Sequence, residues 1–456
     1  MSDIHSQRDL AYVRTEEAPA MPAPLTVSGP IGWMRENLFP TPINSLMSLI
    51  FGALLLYVIW ITLEWSVFNA VWSGEDRSAC IGDGAHGACW AMARAKFGQW
   101  MYGFYPFTER WRVDVVGIVG VLALVPMMMP SLPYKRINGI FLLGIYPILT
   151  LILLTGGNFD ISFLPTITVN IDTGESSLNW SVWMVAFAFV LAIVVPILFL
   201  GFVAKIISPI ISAIASAAIA GGVALLLIIM SIDFGLPYVE TSKWGGLLLT
   251  LVVAVTGIVA SLPIGVLLAL GRRSNMPVVK LFSVAFIELW RGVPLITVLF
   301  MASVVLPLFL PPGTSFDKLL RALIGVALFS SAYMAEVVRG GLQAIPKGQT
   351  EAAQALGLTY WQNMGLITLP QALKLVIPGI VNSFIGLFKD TVLVGIIGLY
   401  DLLLIVQAAN TDQKWVAPQT HSTGFFFAAA VFWIFCFGMS RYSMFMERQL
   451  DTGHKN

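Results

Sequence analysis

The sequence predicts an all-α polytopic membrane protein, and three observations carry that prediction. Of its 456 residues, 57% are hydrophobic and only 11% charged, against about a quarter charged in soluble domains. Mean hydropathy is strongly positive at +0.82. Apolar runs of about twenty residues, the length that crosses a bilayer, recur from Ile43 onward and give about ten transmembrane helices.

The elements follow in chain order. Residues 1–43 are polar, carry an Ala/Pro-rich run from Ala18 to Pro24 and lack the basic-then-apolar layout of a cleaved signal. They are expected to be a disordered cytoplasmic tail. Candidate spans are 44–63, 114–130, 139–155, 182–203, 206–230, 246–270, 281–309, 320–342, 374–398 and 424–446. The segment 206–230 is rich in Ala, Ser and Gly, which suits close helix packing. A long loop, 64–113, follows the first span, and Gly156 to Trp180 forms another.

With the N-terminus inside, Lys135, Arg136, Arg272, Arg273, Lys280, Arg339 and Lys347 all fall on the cytoplasmic side, as the positive-inside rule requires. Both termini are then cytoplasmic. Cys80 and Cys89 fall outside, where two readings stand: a disulfide closing the segment between them, or two free thiols in a Gly-rich loop. Cys436 sits in an apolar run and reads as packing.

Composition and motifs exclude several functions. A net charge of +1 leaves no basic surplus for nucleic acid. No Gly-x-x-x-x-Gly-Lys-Ser/Thr phosphate loop is present. The four histidines (His5, His86, His421, His454) are scattered without metal spacing, and no catalytic set can be placed at one membrane depth. No cofactor or metal is expected, and the chain does not read as an enzyme.

The loop 343–370 is different. Pro346 ends the preceding helix, Thr350 can cap the next, and Glu351 would then sit in its first turn. Ala352, Ala353 and Ala355 give a narrow face, Gly357 breaks the helix, and Tyr360 to Leu369 runs back to the membrane. The residues alone allow two readings: a rigid docking knob for a partner, or an ordinary solvated loop with helical propensity.

The spacing Glu351-Ala352-Ala353-x3-Gly357-x9-Ile367-x-Leu369-Pro370 resembles the coupling-loop signature of ABC importer permeases. The flanking text is similar to the polar amino-acid branch of that family: Gly246-Leu-Leu-Leu-Thr250, Arg291-Gly-Val-Pro294, Ala335-Glu-Val-Val-Arg-Gly-Gly341, Ala344-Ile-Pro-Lys-Gly-Gln349 and Phe388-Lys-Asp-Thr391. Ala88-Cys-Trp90 and Gly103-Phe-Tyr-Pro106 resemble the longer permease subunit of general L-amino-acid importers, while 158–232 reads as additional to the family pattern.

The resemblance implies a five-helix type I permease core at 245–456, with coupling residues Glu351, Ala352, Ala353 and Gly357, preceded by a membrane extension at 44–244. It further implies an ATP-driven importer of L-amino acids, of broad range, in a bacterial inner membrane. The implied partners are two copies of a separate ABC ATPase, a second and different permease, and an extracytoplasmic binding protein that would contact loops such as 400–423.

Charges inside spans are costly and default to functional roles. Glu288 and Arg291 stand at i,i+3, where they can pair as a structural tie beside a kink at Pro294, or line a path for a zwitterion. Asp390, adjacent to Lys389, is a third candidate for the substrate path. Glu336 and Arg339 read as an ion pair supporting the loop. An ion-gradient-driven secondary transporter is the alternative, but it needs internal repeats or broken helices around a midplane site.

Overall fold

The computed structural model describes residues 29–82, 86–129, 131–157, 166–169, 176–179, 222, 229, 232–309 and 317–450. Among these, seven helices are long and apolar enough to cross a membrane, and an eighth crossing is a bent pair. With no water to satisfy backbone groups in a bilayer, a chain of this composition has helices as its simplest spanning form. The predicted spans 182–203 and 206–230 lie outside the described residues, apart from Gly222 and Ile229.

The chain divides into two units, the first comprising residues up to Ala70 together with His86–Ala88. Its first helix, α1 (Gly29–Asn37), corrects the expectation of a structureless tail through residue 43. Arg35 in its last turn complements the helix dipole. The second, α2 (Pro42–Leu63), starts where Pro42 presets the first turn and the Asn44 N–H donates to Thr41 Oγ1 at 3.2 Å. No α2 residue is buried within the structure.

The second unit holds α3 (Trp90–Tyr102), α4 (Arg110–Met128), α5 (Lys135–Thr155), α6 (Gly246–Arg272), α7 (Pro277–Gly292) and α8 (Leu295–Phe309). These are followed by α9 (Lys318–Ala344), α10 (Lys347–Ala355), α11 (Tyr360–Asn363), α12 (Leu369–Leu375), α13 (Ile377–Asp390), α14 (Leu402–Ala409) and α15 (Pro418–Leu450). A small antiparallel hairpin, Thr166–Val169 with Ser176–Asn179, accompanies the helices. The single span expected over 281–309 is instead α7 and α8, bent by 102°. Val293 is extended ahead of Pro294, whose ring disfavours helix in the preceding residue and removes a backbone donor.

Helices α6 and α9 form the centre of this unit. A Cβ at Gly265 would stand 2.8 Å from Met334 Cβ, so glycine permits the close approach. Leu249, Val253, Leu299 and Val326 bury one part of the interface, and Ala269, Met334 and Val338 another.

Residues on both sides of 244/245 share this packing. Cys80 and Cys89 are joined by a disulfide, and the Cys89 N–H donates to Thr423 Oγ1 at 2.8 Å. The Arg77 N–H donates to Lys414 O, and Lys96 pairs with Asp412. Trp100 is fully buried, with its ring 4.7 Å from that of Phe427. The start of α6 is tied to the start of α14 by Gly246 N–H to Tyr400 O and Leu402 N–H to Thr250 Oγ1.

Asp401 caps α14 from a fully buried position, accepting from the Leu403 and Leu404 N–H groups at 3.0 and 3.1 Å. Burial pushes its carboxyl up to about 6 from an ordinary 3.8, although the N–H donors oppose the shift. Between those values the folded state holds a proton that the unfolded chain has released. The burial penalty is therefore full above pH 6 and relieved as pH falls toward 4. In thermal unfolding of the detergent-purified protein, wild type should gain up to about 3 kcal/mol relative to Asp401→Asn from pH 7 to pH 4. Parallel pH profiles for the two proteins would refute this assignment.

Candidate functional site

The loop between α9 and α13 is built from rigid local parts. Pro346, not Thr350, occupies the cap of α10: Ile345 ahead of the proline is extended and ends α9, and the next helix already starts at Lys347. Glu351 consequently lies beyond the first turn. It lines a hollow of about 270 Å³ with Arg273, Leu342, Lys347 and Thr368.

α10 ends in a Schellman turn. The Gly357 N–H donates to Gln354 O at 2.9 Å and the Leu358 N–H to Ala353 O at 3.1 Å, with Gly357 at φ +73°. Thr359 and Gln362 then form a capping box that starts α11. That Thr-x-x-Gln signal is present in the sequence and marks the second helix start.

The narrow alanine face does not survive as predicted. Ala353 is buried against its own chain, while Glu351, Ala352 and Gly357 are exposed. What the loop presents outward is larger: Leu356 is 78% exposed, and Tyr360 and Trp361 are exposed with their rings edge-on at 5.3 Å. The returning segment clamps onto α9, where a Cβ at Gly341 would stand 2.6 Å from Ala372 O. Ala372 and Met364 complete the buried cluster of Ala269, Met334 and Val338. The returning segment and α9 thus share one packed interface.

The charged residues gather beside that cluster. Glu336 on α9 accepts from Arg339 Nε and Nη2 at 3.0 and 2.7 Å and from Arg272 Nη1 at 2.8 Å. Arg291 of α7 approaches it at 3.7 Å. Glu288 does not pair with Arg291 as their i,i+3 spacing allows. It takes Arg272 at 3.0 Å instead, since one nitrogen of that guanidinium, Nη1, lies between both carboxylates and donates to each. Asp390 and Lys389 end α13 outside this network, both exposed on the chain's surface.

Apolar helices long enough to cross a membrane, with a helix–glycine–helix projection between two of them, define a polytopic membrane protein. Residues 261–451 match the family described as "binding-protein-dependent transport system inner membrane component". The chain is 43% identical over 435 residues to the inner membrane amino-acid ABC transporter permease YhdY of Escherichia coli K12, covering 95% of this chain and 97% of that protein. It is 42% identical over 474 residues to the glutamate/glutamine/aspartate/asparagine transport system permease BztC of Rhodobacter capsulatus, covering 98% and 100%. A crystal structure described as an amino acid ABC transporter with histidines aligns with 45% of this chain and 92% of its own at TM-score 0.40 and 29% identity. This chain belongs to the amino-acid ABC transporter permease family. The two long matches run almost end to end, so 158–232 lies within a chain length these relatives share.

Replacing Glu336 by Gln leaves Arg272, Arg291 and Arg339 converging without their shared carboxylate. Charge-assisted hydrogen bonds of this kind contribute about 1.5–3 kcal/mol each. The unfolding midpoint of the purified Glu336→Gln protein should therefore drop by several degrees, and an unchanged midpoint would show that the network is dispensable.

Proposed function

We propose that this permease is the transmembrane half of an ATP-driven importer that takes up amino acids, acidic ones and their amides among them, across the inner membrane of a bacterium. One observation supports the reading above all: a polar loop between two spans is locked by a Schellman turn and a capping box, exposes Leu356, Tyr360 and Trp361, and is clamped to α9. A solvated connector needs none of these. In this reading α10 and Gly357 seat in a cytoplasmic ATPase, present in two copies, and the chain itself hydrolyses nothing. Both termini are cytoplasmic.

A second, different permease completes the path, and an extracytoplasmic binding protein delivers the cargo to the opposite face. Asp390, Glu288 and Arg291 line the path, because charges on the outer surface of spans cannot face lipid without large cost. The acidic and amide cargo is suggested by BztC, whose name gives glutamate, glutamine, aspartate and asparagine.

A Cβ at Gly357 would find no heavy atom within 4 Å, so Gly357→Trp starts into open space, and its left-handed backbone costs about 1–2 kcal/mol. It should fold yet abolish ATP-dependent uptake in proteoliposomes of the complete importer. Uptake at the wild-type rate would end the docking assignment. For Asp390→Asn, competition for labelled uptake by a panel of amino acids should show a changed rank order. An identical order and rate would remove Asp390 from the path.

A further inference from the structure

The five-residue network is not balanced. Three guanidinium groups, Arg272, Arg291 and Arg339, face two carboxylates, Glu288 and Glu336. The shortfall falls on one residue. Arg272 and Arg339 make hydrogen bonds at 2.7–3.0 Å. Arg291 reaches Glu336 only at 3.7 Å, beyond hydrogen-bond range, and its other contact is a guanidinium carbon 5.8 Å from the Tyr333 ring centre. Its side chain is 38% exposed. One helical turn away, Glu288 is 56% exposed, with Arg272 as its ion-pair partner.

An open cation and an open anion therefore stand side by side on α7, just before the 102° bend. Residues at i,i+3 place their Cβ atoms about 5–6 Å apart. Their charged ends can bracket an α-carboxylate and α-ammonium, which lie on one carbon. Arg291 has the planar fork that binds a carboxylate bidentately. Tyr333, also exposed, walls the guanidinium on one side.

We propose that Arg291 and Glu288 form a binding site for the zwitterionic backbone of the cargo. Arg291 takes the α-carboxylate and Glu288 the α-ammonium, while Glu336, Arg272 and Arg339 hold the pair in position from α6 and α9. Such a site recognises what all α-amino acids share and ignores the side chain, so the binding protein can set selectivity elsewhere. The inference rests on the importer reading, and names one recognition step within it. A carboxylate of the second permease subunit could use the same free donors, and the test separates the two.

The test uses the complete importer in proteoliposomes, with Arg291→Gln, Arg291→Lys and Glu288→Gln, and three labelled cargoes: glutamate, glutamine and an aliphatic amino acid that wild type takes up. Arg291→Gln should lower the amino acid delivered per ATP hydrolysed about tenfold for all three cargoes alike, the step that one lost charge-assisted contact makes. Arg291→Lys should recover part of the loss, and the second permease should co-purify in full with every variant. Undiminished delivery, a loss that differs between cargoes, or a second permease missing from the purified Arg291 variants would each overturn the site. Wild-type complex that carries no ATPase, or shows no ATP-dependent uptake, would instead overturn the importer reading itself.

Discussion

The carboxylate of Glu336 is where the helices of the core are tied to one another electrostatically. It lies on α9, the helix that continues into the loop, and it gathers arginines from α6, α7 and α9 itself. The pairs are half-buried, so partial desolvation offsets part of their attraction, and removing the shared carboxylate costs more than the pairs contribute net. Their strength lies in geometry, because forked guanidinium contacts fix direction as well as distance. Here they sit beside the apolar cluster of Ala269, Met334 and Ala372, so α9 and the returning loop segment are held by packing and charge together. In the proposed importer, this link would carry the loop's displacement into the helices.

The opposite end of the same bundle is fixed by different means. The Cys80–Cys89 disulfide closes the segment before α4 on itself, and the Cys89 N–H to Thr423 Oγ1 bond and the Trp100–Phe427 contact hold that segment against α15, within a buried cluster that α14 shares. Residues 89–102 are therefore packed into the same unit as the family-matched core. One end is locked covalently and by close packing, the other by exchangeable ion pairs. Motion between alternative states is cheaper at the second.

Much of this was legible in the sequence, and the reasons are physical. Span positions could be read because a bilayer tolerates few alternatives to apolar helices. The loop could be read because a Schellman turn requires a residue such as glycine at φ +73°, and Gly357 sits at the fixed offset from Glu351. The network could not. Spacing of i,i+3 offers Glu288 to Arg291, but Arg272, sixteen residues earlier in sequence, reaches it first. Which of two possible partners a charge chooses depends on how α6, α7 and α9 pack, and local pattern carries no record of that. Likewise the kink at Pro294 was foreseeable and its 102° size was not. Ala353 looked like an outward face by composition, yet the chain folds over it and presents Leu356 and Trp361.

Whether this loop meets an ATPase can be read by photo-crosslinking from the exposed position Gln354, with a benzophenone amino acid incorporated there and the label activated in intact membranes. The expected product is one dominant adduct, formed with an ABC ATPase subunit and weakened when Gly357 is replaced by Trp. Adducts with lipid alone, or with no ATPase among them while the protein remains assembled and active, would contradict it.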